Sequence, residues 1–437
     1  MEEIRVNRFK PYRTMRWYRS NYLWSPNNAY LKKYRIDVRH GESEGGQDVL
    51  AIPCPHIPGH EAMVHRDDSL WIKQGSRGET NYYDTPMICD SSCDYAYLDP
   101  PMRELISHPQ VRAYMTGVGF RDNVVQQRRS WGGEYHGMVY KERELHNKGP
   151  DIREERNPLP SSVLDKIQRI NRPPTPPFSD TVLEHIQQGK NPLEGRQIDL
   201  LFSGRTTYWP RRLRSHPTAH RKHLVDIWDK LPGKTKVLKI YDNFEGTKKN
   251  GKPVRVFQYP YEYVDVLMQT KVVISPWGWS PWCVRDIEAL LCGCIVIKPE
   301  CGNILTWPDI YDPKKQFMVW GDIMYENLGD QLDYCYSHLS ELQDRVNRGR
   351  DFLFEALYPN DKLYYQWTHD LRRTLEQSLE RPSYAPSRLI PHDSEGYARF
   401  PRRTNGAIKS ASRRRVGPSQ PAATALGCLV TRRRVTT

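Results

Sequence analysis

Residues 271–312 constrain the fold more than any other part of the chain. They begin with a β-branched run at residues 272–274, which is typical of a buried strand in a parallel sheet. A glycine loop and an apolar helix face follow, and we expect that helix to end at Gly293. A second apolar strand then occupies residues 294–297. This order predicts a β-α-β unit of a doubly wound sheet, where ligands collect beyond the carboxyl ends of the strands.

The start of the helix in this unit is the first candidate site. We expect Ser280 to be its N-cap, directly before a proline at the first helical position. A helix start attracts anions such as phosphate, and Ser275 and Gly278 would line it with little bulk. Arg285 and Glu288 share one helix face, where arginine can neutralise a diphosphate and a carboxylate can accept two ribose hydroxyls. A surface ion pair on an ordinary helix is the alternative.

The same stretch resembles a known family. A small-residue loop, then R-x-x-E-A-L, then G-C-I-V-I is similar to the C-terminal domain of exostosin-like, nucleotide-sugar-dependent glycosyltransferases of the GT-B type. The matching residues are Arg285, Glu288, Ala289, Leu290, Gly293, Cys294, Ile295, Val296 and Ile297. The resemblance implies that the loop at residues 275–280 and Arg285 hold the donor's diphosphate, and that Glu288 holds the sugar hydroxyls of the nucleotide. It covers residues 195–360.

A strand at residues 198–202, closed by Ser203, Gly204 and Arg205, also matches the GT-B pattern. There the resemblance implies that Gly204 permits close approach of the nucleotide-sugar and that Arg205 meets its phosphates, although a solvated loop charge is an equal reading of Arg205. One departure stands out. Many retaining members carry two glutamates separated by seven residues, but this chain has Ser280 eight positions before Glu288. The missing pair leaves the stereochemistry open and favours an inverting mechanism.

The domain organisation follows from length and composition. A chain of 437 residues is long enough for two domains, and we expect an α/β fold of the GT-B type with two Rossmann-like domains facing a cleft. We assign residues 1–180 to an acceptor-side domain and residues 181–380 to a nucleotide-sugar-binding domain, joined near the proline-rich residues 171–177. Residues 381–437 have few apolar anchors and are expected to form a disordered basic tail.

The first domain should supply the general base, because the nucleotide fills the other side of a GT-B cleft. Asp122 and His136 are the candidates, although each residue type is more often a turn or capping residue. Residues 1–40 are basic and aromatic. They could stack on bases or sugars, but we expect a hydrophobic strap across the back of the protein.

Charge and cysteine usage narrow the class of ligand. The formal net charge is +13, and residues 401–437 carry nine basic residues with no acid, so the remainder carries only +4. That balance suits a phosphate-bearing small ligand as well as a polyanion. The nine cysteines lack paired zinc-site spacing and are read as free thiols. The chain has no Asp-x-Asp motif, which disfavours an obligate divalent metal, and we expect neither metal nor cofactor.

These observations predict a glycosyltransferase that moves a sugar from a nucleotide diphosphate sugar to a hydroxyl of a glycan or glycoconjugate. A UDP-sugar is the favoured donor. Two alternatives stay open. One is a glycosyltransferase acting on a hydroxymethylated DNA base, and the other is a non-catalytic nucleotide- or carbohydrate-binding protein. The basic tail leaves room for contact with nucleic acid. No apolar run is long enough for a membrane span and the first residues do not resemble a signal peptide, so we expect a cytoplasmic protein.

Overall fold

A computed structural model describes most of the chain up to residue 380. The described residues are 1–9, 22–24, 28–41, 48–54, 86–91, 106–107, 111–128, 154–170, 177–189, 191–204, 219–240, 248–249, 252–253, 260–277, 282–322 and 325–380. The chain separates into a compact unit, Met1–Tyr384, and the segment Ala385–Thr437. The predicted basic tail, residues 381–437, lies outside the described residues.

The described chain contains both helices and strands. The strands are β1 (Ile4–Phe9), β2 (Ile36–Gly41), β3 (Val49–Cys54), β4 (Met87–Ser91), β5 (Val111–Met115), β6 (Gly119–Phe120), β7 (Val124–Arg128), β8 (Glu154–Pro158), β9 (Ile198–Gly204), β10 (Lys236–Ile240), β11 (Lys248–Lys249), β12 (Lys252–Pro253), β13 (Thr270–Ile274), β14 (Ile295–Pro299), β15 (Ile304–Leu305) and β16 (Val319–Gly321). The α-helices are α1 (Ala29–Lys33), α2 (Ser161–Gln168), α3 (Asp180–Gln188), α4 (Ala219–Ile227), α5 (Tyr261–Met268), α6 (Val284–Leu291), α7 (Leu328–Ser337), α8 (Leu339–Leu357) and α9 (Asp361–Glu380).

Two five-stranded sheets form the framework. Sheet 1 has the order β2-β1-β3-β4-β5 and sheet 2 the order β10-β9-β13-β14-β16. Every neighbouring pair in both sheets is parallel. In each sheet the first strand lies between the second and the third, which is a doubly wound, Rossmann-like order. The predicted α/β fold with two Rossmann-like sheets is confirmed, while the GT-B type and the domain limits at residues 180 and 380 stay predictions.

The strands of sheet 2 form where apolar, β-branched runs can be covered on both faces. Val272, Val273 and Ile274 are all fully buried, as expected for a central parallel strand. Helix α5 leads directly into β13, and Gly189 is the C-cap of α3. No described helix combines the length and the apolar composition that a membrane crossing requires.

The N-terminal residues do not form the expected strap. Residues 4–9 are strand β1, which lies inside sheet 1 between β2 and β3, and residues 36–41 are strand β2. The sequence pattern hid β1 because Arg8, a charged residue, is buried at its carboxyl end. The Arg8 guanidinium is neutralised by Asp90 of β4 at 2.8 Å. That partner lies 82 residues away in the chain, so no local pattern indicates it.

Helix α9 follows sheet 2 in the chain but packs against elements that precede or belong to sheet 1. The Trp367 ring lies edge-on to the Trp24 ring with centroids 5.1 Å apart, and its Nε1–H approaches the sulfur of Met115 at 3.3 Å. Asn28 donates to the Thr368 hydroxyl at 3.0 Å. The last described helix therefore returns to the first half of the chain and ties the two halves together.

Replacement of Trp367 by alanine tests this tie. Trp367 is 2% exposed, so the loss of its contacts should lower the free energy of unfolding by about 3–5 kcal/mol, measured by urea denaturation. Leu379→Ala is the control, because Leu379 lies on the same helix and is 42% exposed. Its expected effect is within about 0.5 kcal/mol. Equal losses in the two variants would contradict the packing role of Trp367.

Candidate functional site

The order of sheet 2 singles out one position for a ligand. Chain order reverses between β9 and β13, and doubly wound sheets bind ligands beyond the carboxyl ends of the strands at such a point. Strand β9 ends at Gly204, which is buried, and Ser275 follows the last residue of β13 with its side chain fully buried. Two of the predicted site residues therefore stand at the switch point of the sheet.

Helix α6 begins later than predicted. Its first residue is Val284 and its N-cap is Cys283, so the expected N-cap at Ser280 is wrong. The backbone of Cys283 is extended, and its N–H donates to the Tyr311 hydroxyl at 3.3 Å. A tertiary contact, rather than the local serine and proline, therefore sets the start. The predicted end is confirmed, since Gly293 follows the C-cap with a φ of 71°.

Arg285 lies in the first turn of α6, across the end of β9. Its guanidinium carbon is 5.8 Å from the centre of the Phe202 ring, and a Cβ at position 204 would lie 3.1 Å from its Nη2. Gly204 thus makes room for the guanidinium. The Nε and Nη1 atoms are buried and have no hydrogen-bond partner in the part of the chain that the structure describes. Burial acts to lower the pKa of Arg285, but nearby groups, Cys283 and Tyr263 first, raise it above its ordinary value.

Glu288 lies one turn further along the same helix. It is 7% exposed and accepts a hydrogen bond from the Tyr263 hydroxyl at 3.2 Å. Burial raises the pKa of Glu288 to about 7, against the opposing effects of the Arg285 charge and the Tyr263 hydrogen bond. In the described part of the chain no ion pair joins Arg285 to Glu288. The alternative of a surface ion pair on an ordinary helix is therefore wrong.

A buried ion pair that the sequence did not suggest anchors the same helix. Asp286 Oδ2 lies 2.7 Å from Lys298 Nζ of β14, and both side chains are fully buried. The Tyr311 hydroxyl donates to the same carboxylate. Asp286 also stands in the first helical turn, where a negative charge is favoured by the helix dipole. These contacts fix the first turn of α6 against the end of β14.

Two hydroxyls near this turn are, like the Arg285 nitrogen atoms, buried and unsatisfied. The Ser275 Oγ and the Tyr325 hydroxyl are buried, and neither has a hydrogen-bond partner among the described residues. Tyr325 lies beyond the end of β16, and the charges of Arg221 and Arg285 both act on its pKa. Buried polar groups without partners are rare in folded proteins. We name Gly204, Ser275, Arg285, Glu288 and Tyr325 the switch-point site.

The chemistry of this site favours an acceptor-rich ligand. Arginine has donors only, and the two hydroxyls can each donate one hydrogen. The first helix amides, those of Val284 and Arg285, precede the first intrahelical donor and add two more hydrogens. An anion with several oxygen atoms is the ligand that such a group of donors can satisfy.

The remaining predicted site residues are less informative. Arg205, Gly278, Ser280 and His136 lie outside the described residues. Asp122 is exposed in the bend after β6, directly after Arg121. Its assignment as a general base stays a prediction.

Neither the cysteines nor the acidic residues suggest a metal centre in the described ranges. Cys89, Cys283, Cys292, Cys294, Cys301 and Cys335 are free thiols, as predicted. Among the residues that the structure describes, no group of three or more His, Cys, Asp or Glu side chains is placed to hold a metal ion.

Comparisons with known proteins find distant likenesses in structure only. No family model matches the chain, and no curated protein matches it. The glycosyltransferase of kitacinnamycin superposes with a TM-score of 0.33 at 12% identity, over 76% of this chain and 77% of that one. The wall teichoic acid polymerase TagF superposes with a TM-score of 0.28 at 10% identity, over 86% of this chain and 90% of that one. Both TM-scores are below 0.5, so the residues of the site carry the proposal that follows.

The raised pKa of Glu288 predicts a pH-dependent stability. The folded pKa of about 7 exceeds the ordinary value of 4.5, so the contribution of Glu288 is fully present below the lower value and is lost as the pH rises through the higher one. Glu288→Gln removes this loss. Relative to wild type, the variant should therefore gain about 3 kcal/mol in unfolding free energy between about pH 4 and pH 8.

Urea denaturation across this pH range measures the difference. Glu194→Gln, at an exposed glutamate just before β9, controls for the loss of a carboxylate elsewhere. If the unfolding free energies of Glu288→Gln and wild type change in parallel with pH, the raised pKa of Glu288 is contradicted.

Proposed function

We propose that the protein is a glycosyltransferase, of the exostosin-like type, that binds a nucleotide diphosphate sugar at the switch-point site. UDP-sugars are the first choice of donor, and the acceptor is a hydroxyl of a glycan or glycoconjugate. One observation carries the proposal. The Arg285 guanidinium is buried beside the switch point of sheet 2 with two nitrogen atoms that no group of the described residues satisfies.

The diphosphate is assigned to the start of α6. There the Arg285 charge, the two unused helix amides and the positive end of the helix dipole act on the same place. Ser275 adds a buried hydroxyl from the end of β13. Lys298 does not compete for the anion, because Asp286 neutralises it at 2.7 Å.

The sugar hydroxyls of the nucleotide are assigned to Glu288. Positions 285 and 288 are separated by about 4.5 Å along the helix axis, so a ligand with its phosphates at Arg285 can place its ribose one turn away. An ionised carboxylate can accept from both ribose hydroxyls. Tyr263 holds one of the Glu288 oxygens, Oε2, at 3.2 Å.

In sugar transfer, the bond from the sugar to the diphosphate breaks while the acceptor oxygen bonds to the sugar carbon. Negative charge grows on the departing diphosphate, and Arg285 with the helix start would stabilise it. The positive charge comes from the chain itself, so the proposal includes no metal ion. Asp122 or His136 would take the proton of the acceptor hydroxyl, and the absence of a second glutamate before Glu288 favours inversion.

Nucleotide binding tests the assignment of Arg285. UDP should raise the melting temperature of the wild-type protein, because a ligand that binds only the folded state stabilises it. Arg285→Met should weaken UDP binding by roughly 10- to 100-fold, which corresponds to about 1.5–3 kcal/mol for bonds to a charged group. Arg39→Met is the control, since Arg39 is an exposed residue of β2. If UDP, GDP and their sugars all leave the wild-type melting curve unmoved, the proposal is wrong.

Catalysis is tested separately from binding. Wild-type protein should release UDP slowly from its donor even without an acceptor, whereas Glu288→Ala should lower kcat/KM by at least about tenfold, as expected for loss of charged hydrogen bonds to the donor. The melting curve of the variant shows whether it is folded. A protein that binds UDP but releases nothing from any sugar nucleotide would instead be a nucleotide-binding protein without transferase activity.

A further inference from the structure

Tyr325 is an unusual residue that the sequence did not single out. It lies in the loop between β16 and α7, where its φ of 59° places a bulky side chain in the left-handed region. Such a backbone is strained and persists only where the surroundings fix it. The side chain is 1% exposed, and its hydroxyl has no hydrogen-bond partner within the described ranges.

The surroundings of Tyr325 place it at the carboxyl edge of sheet 2. Its ring belongs to the same buried cluster as Phe202 of β9, Ile274 of β13 and Leu224 of α4. Phe202 is also the ring over which the Arg285 guanidinium lies. Tyr325 thus belongs to the same apolar core as side chains of the two strands that form the switch point.

Positive and negative groups both lie near the hydroxyl, and no described residue accepts its hydrogen. Burial is the largest cause of the raised pKa of Tyr325, the charges of Arg221 and Arg285 oppose it, and those of Asp286 and Asp322 add to it. An arginine side chain has no acceptor. Asp286 Oδ2 is occupied by Lys298 and Tyr311, and Asp286 Oδ1, although buried and unsatisfied, does not bond to the hydroxyl. Among the described residues the hydroxyl is therefore without an acceptor.

We propose that Tyr325 is a further ligand-contacting residue, whose hydroxyl donates a hydrogen bond to a phosphate oxygen of the bound diphosphate beside Arg285. This inference rests on the proposed function, because it takes the ligand of the switch-point site to be a diphosphate. A phosphate oxygen would supply an acceptor to the hydroxyl and to the two Arg285 nitrogen atoms that no described residue satisfies. The left-handed backbone at Tyr325 directs its ring to this position at the carboxyl edge of sheet 2.

The proposal predicts that Tyr325→Phe weakens ligand binding without lowering the stability of the unliganded protein. Without ligand, Tyr325→Phe exchanges a buried hydroxyl that has no partner for a hydrogen of nearly the same shape, so stability should be unchanged or higher. With ligand, the variant loses a hydrogen bond to a charged acceptor. Its Kd for UDP should rise about tenfold. A residue with only a structural role would lower stability and leave binding alone.

Tyr336→Phe is the matched control. The Tyr336 hydroxyl is also buried without a partner. It lies on α7 near the opposite end of the sheet, 3.0 Å from where a Cβ of Gly233 would be and close enough to Asp199 for that charge to act on its pKa. Its removal should also leave the melting temperature of the protein unchanged or raised, and should leave the Kd for UDP unchanged.

Isothermal titration of wild type, Tyr325→Phe and Tyr336→Phe with UDP, pyrophosphate and uridine tests the assignment, together with melting curves without ligand. We expect Tyr325→Phe alone to weaken UDP and pyrophosphate by similar factors, with no change for uridine. Unchanged UDP binding would overturn the inference and would mean that the hydroxyl meets a buried water. A lower melting temperature for Tyr325→Phe without ligand would also overturn it. If wild type binds neither UDP nor pyrophosphate, the proposed function fails as well.

Discussion

The ion pair between Asp286 and Lys298 is the interaction on which the candidate site depends. Removing two charges from water costs several kcal/mol for each ion, and only close contact with further hydrogen bonds offsets that cost. Here the two atoms are 2.7 Å apart with no solvent exposure, and Tyr311 supplies a further bond. Because Lys298 belongs to β14 and Asp286 to α6, the pair fixes the helix start relative to the sheet. Arg285 is thereby held in place before any ligand arrives, which is the preorganisation that charge stabilisation requires.

Two neighbouring side chains at the start of this helix differ in how far their hydrogen bonds are satisfied. Asp286 is engaged by two partners, whereas Arg285, one residue earlier, has two buried nitrogen atoms without any. Only Asp286 Oδ2 is engaged, since Asp286 Oδ1 is also buried without a hydrogen-bond partner among the described residues. The unsatisfied atoms of Arg285, in contrast, are donors beside the switch point. A protein that tolerates this cost in its unliganded state is best explained by a ligand that removes it.

The elements that sequence reasoning predicted are those that local chemistry decides. The β-branched run at residues 272–274 is a central strand because nothing else accommodates it so well, and Gly293 ends α6 because glycine readily adopts a φ of 71°. The spacing of Arg285 and Glu288 on one helix face indicated half of the site for the same reason. Local chemistry failed at the start of α6. Its position depends on Tyr311, a residue that lies 28 positions after Cys283.

The same distinction explains the residues that were missed. Strand β1 carries Arg8 into the interior, where only Asp90, far along the chain, makes the charge acceptable. Tyr325 follows no motif, and its importance lies in a backbone angle and an unsatisfied hydroxyl that appear only in three dimensions. Such features depend on contacts between distant segments.

The loop after β14 contacts both the first half of the chain and helix α6. Ile304 and Leu305 pair with Gly119 and Phe120 from the first half of the chain, and Arg121 reaches Asp309 of the same loop. Two residues beyond Asp309, the Tyr311 hydroxyl donates a hydrogen bond to Asp286 in the first turn of α6. Residues 304–311 therefore connect the first half of the chain to the first turn of α6. A displacement at the contacts with residues 119–121 would be transmitted through this one segment to the turn that carries Arg285.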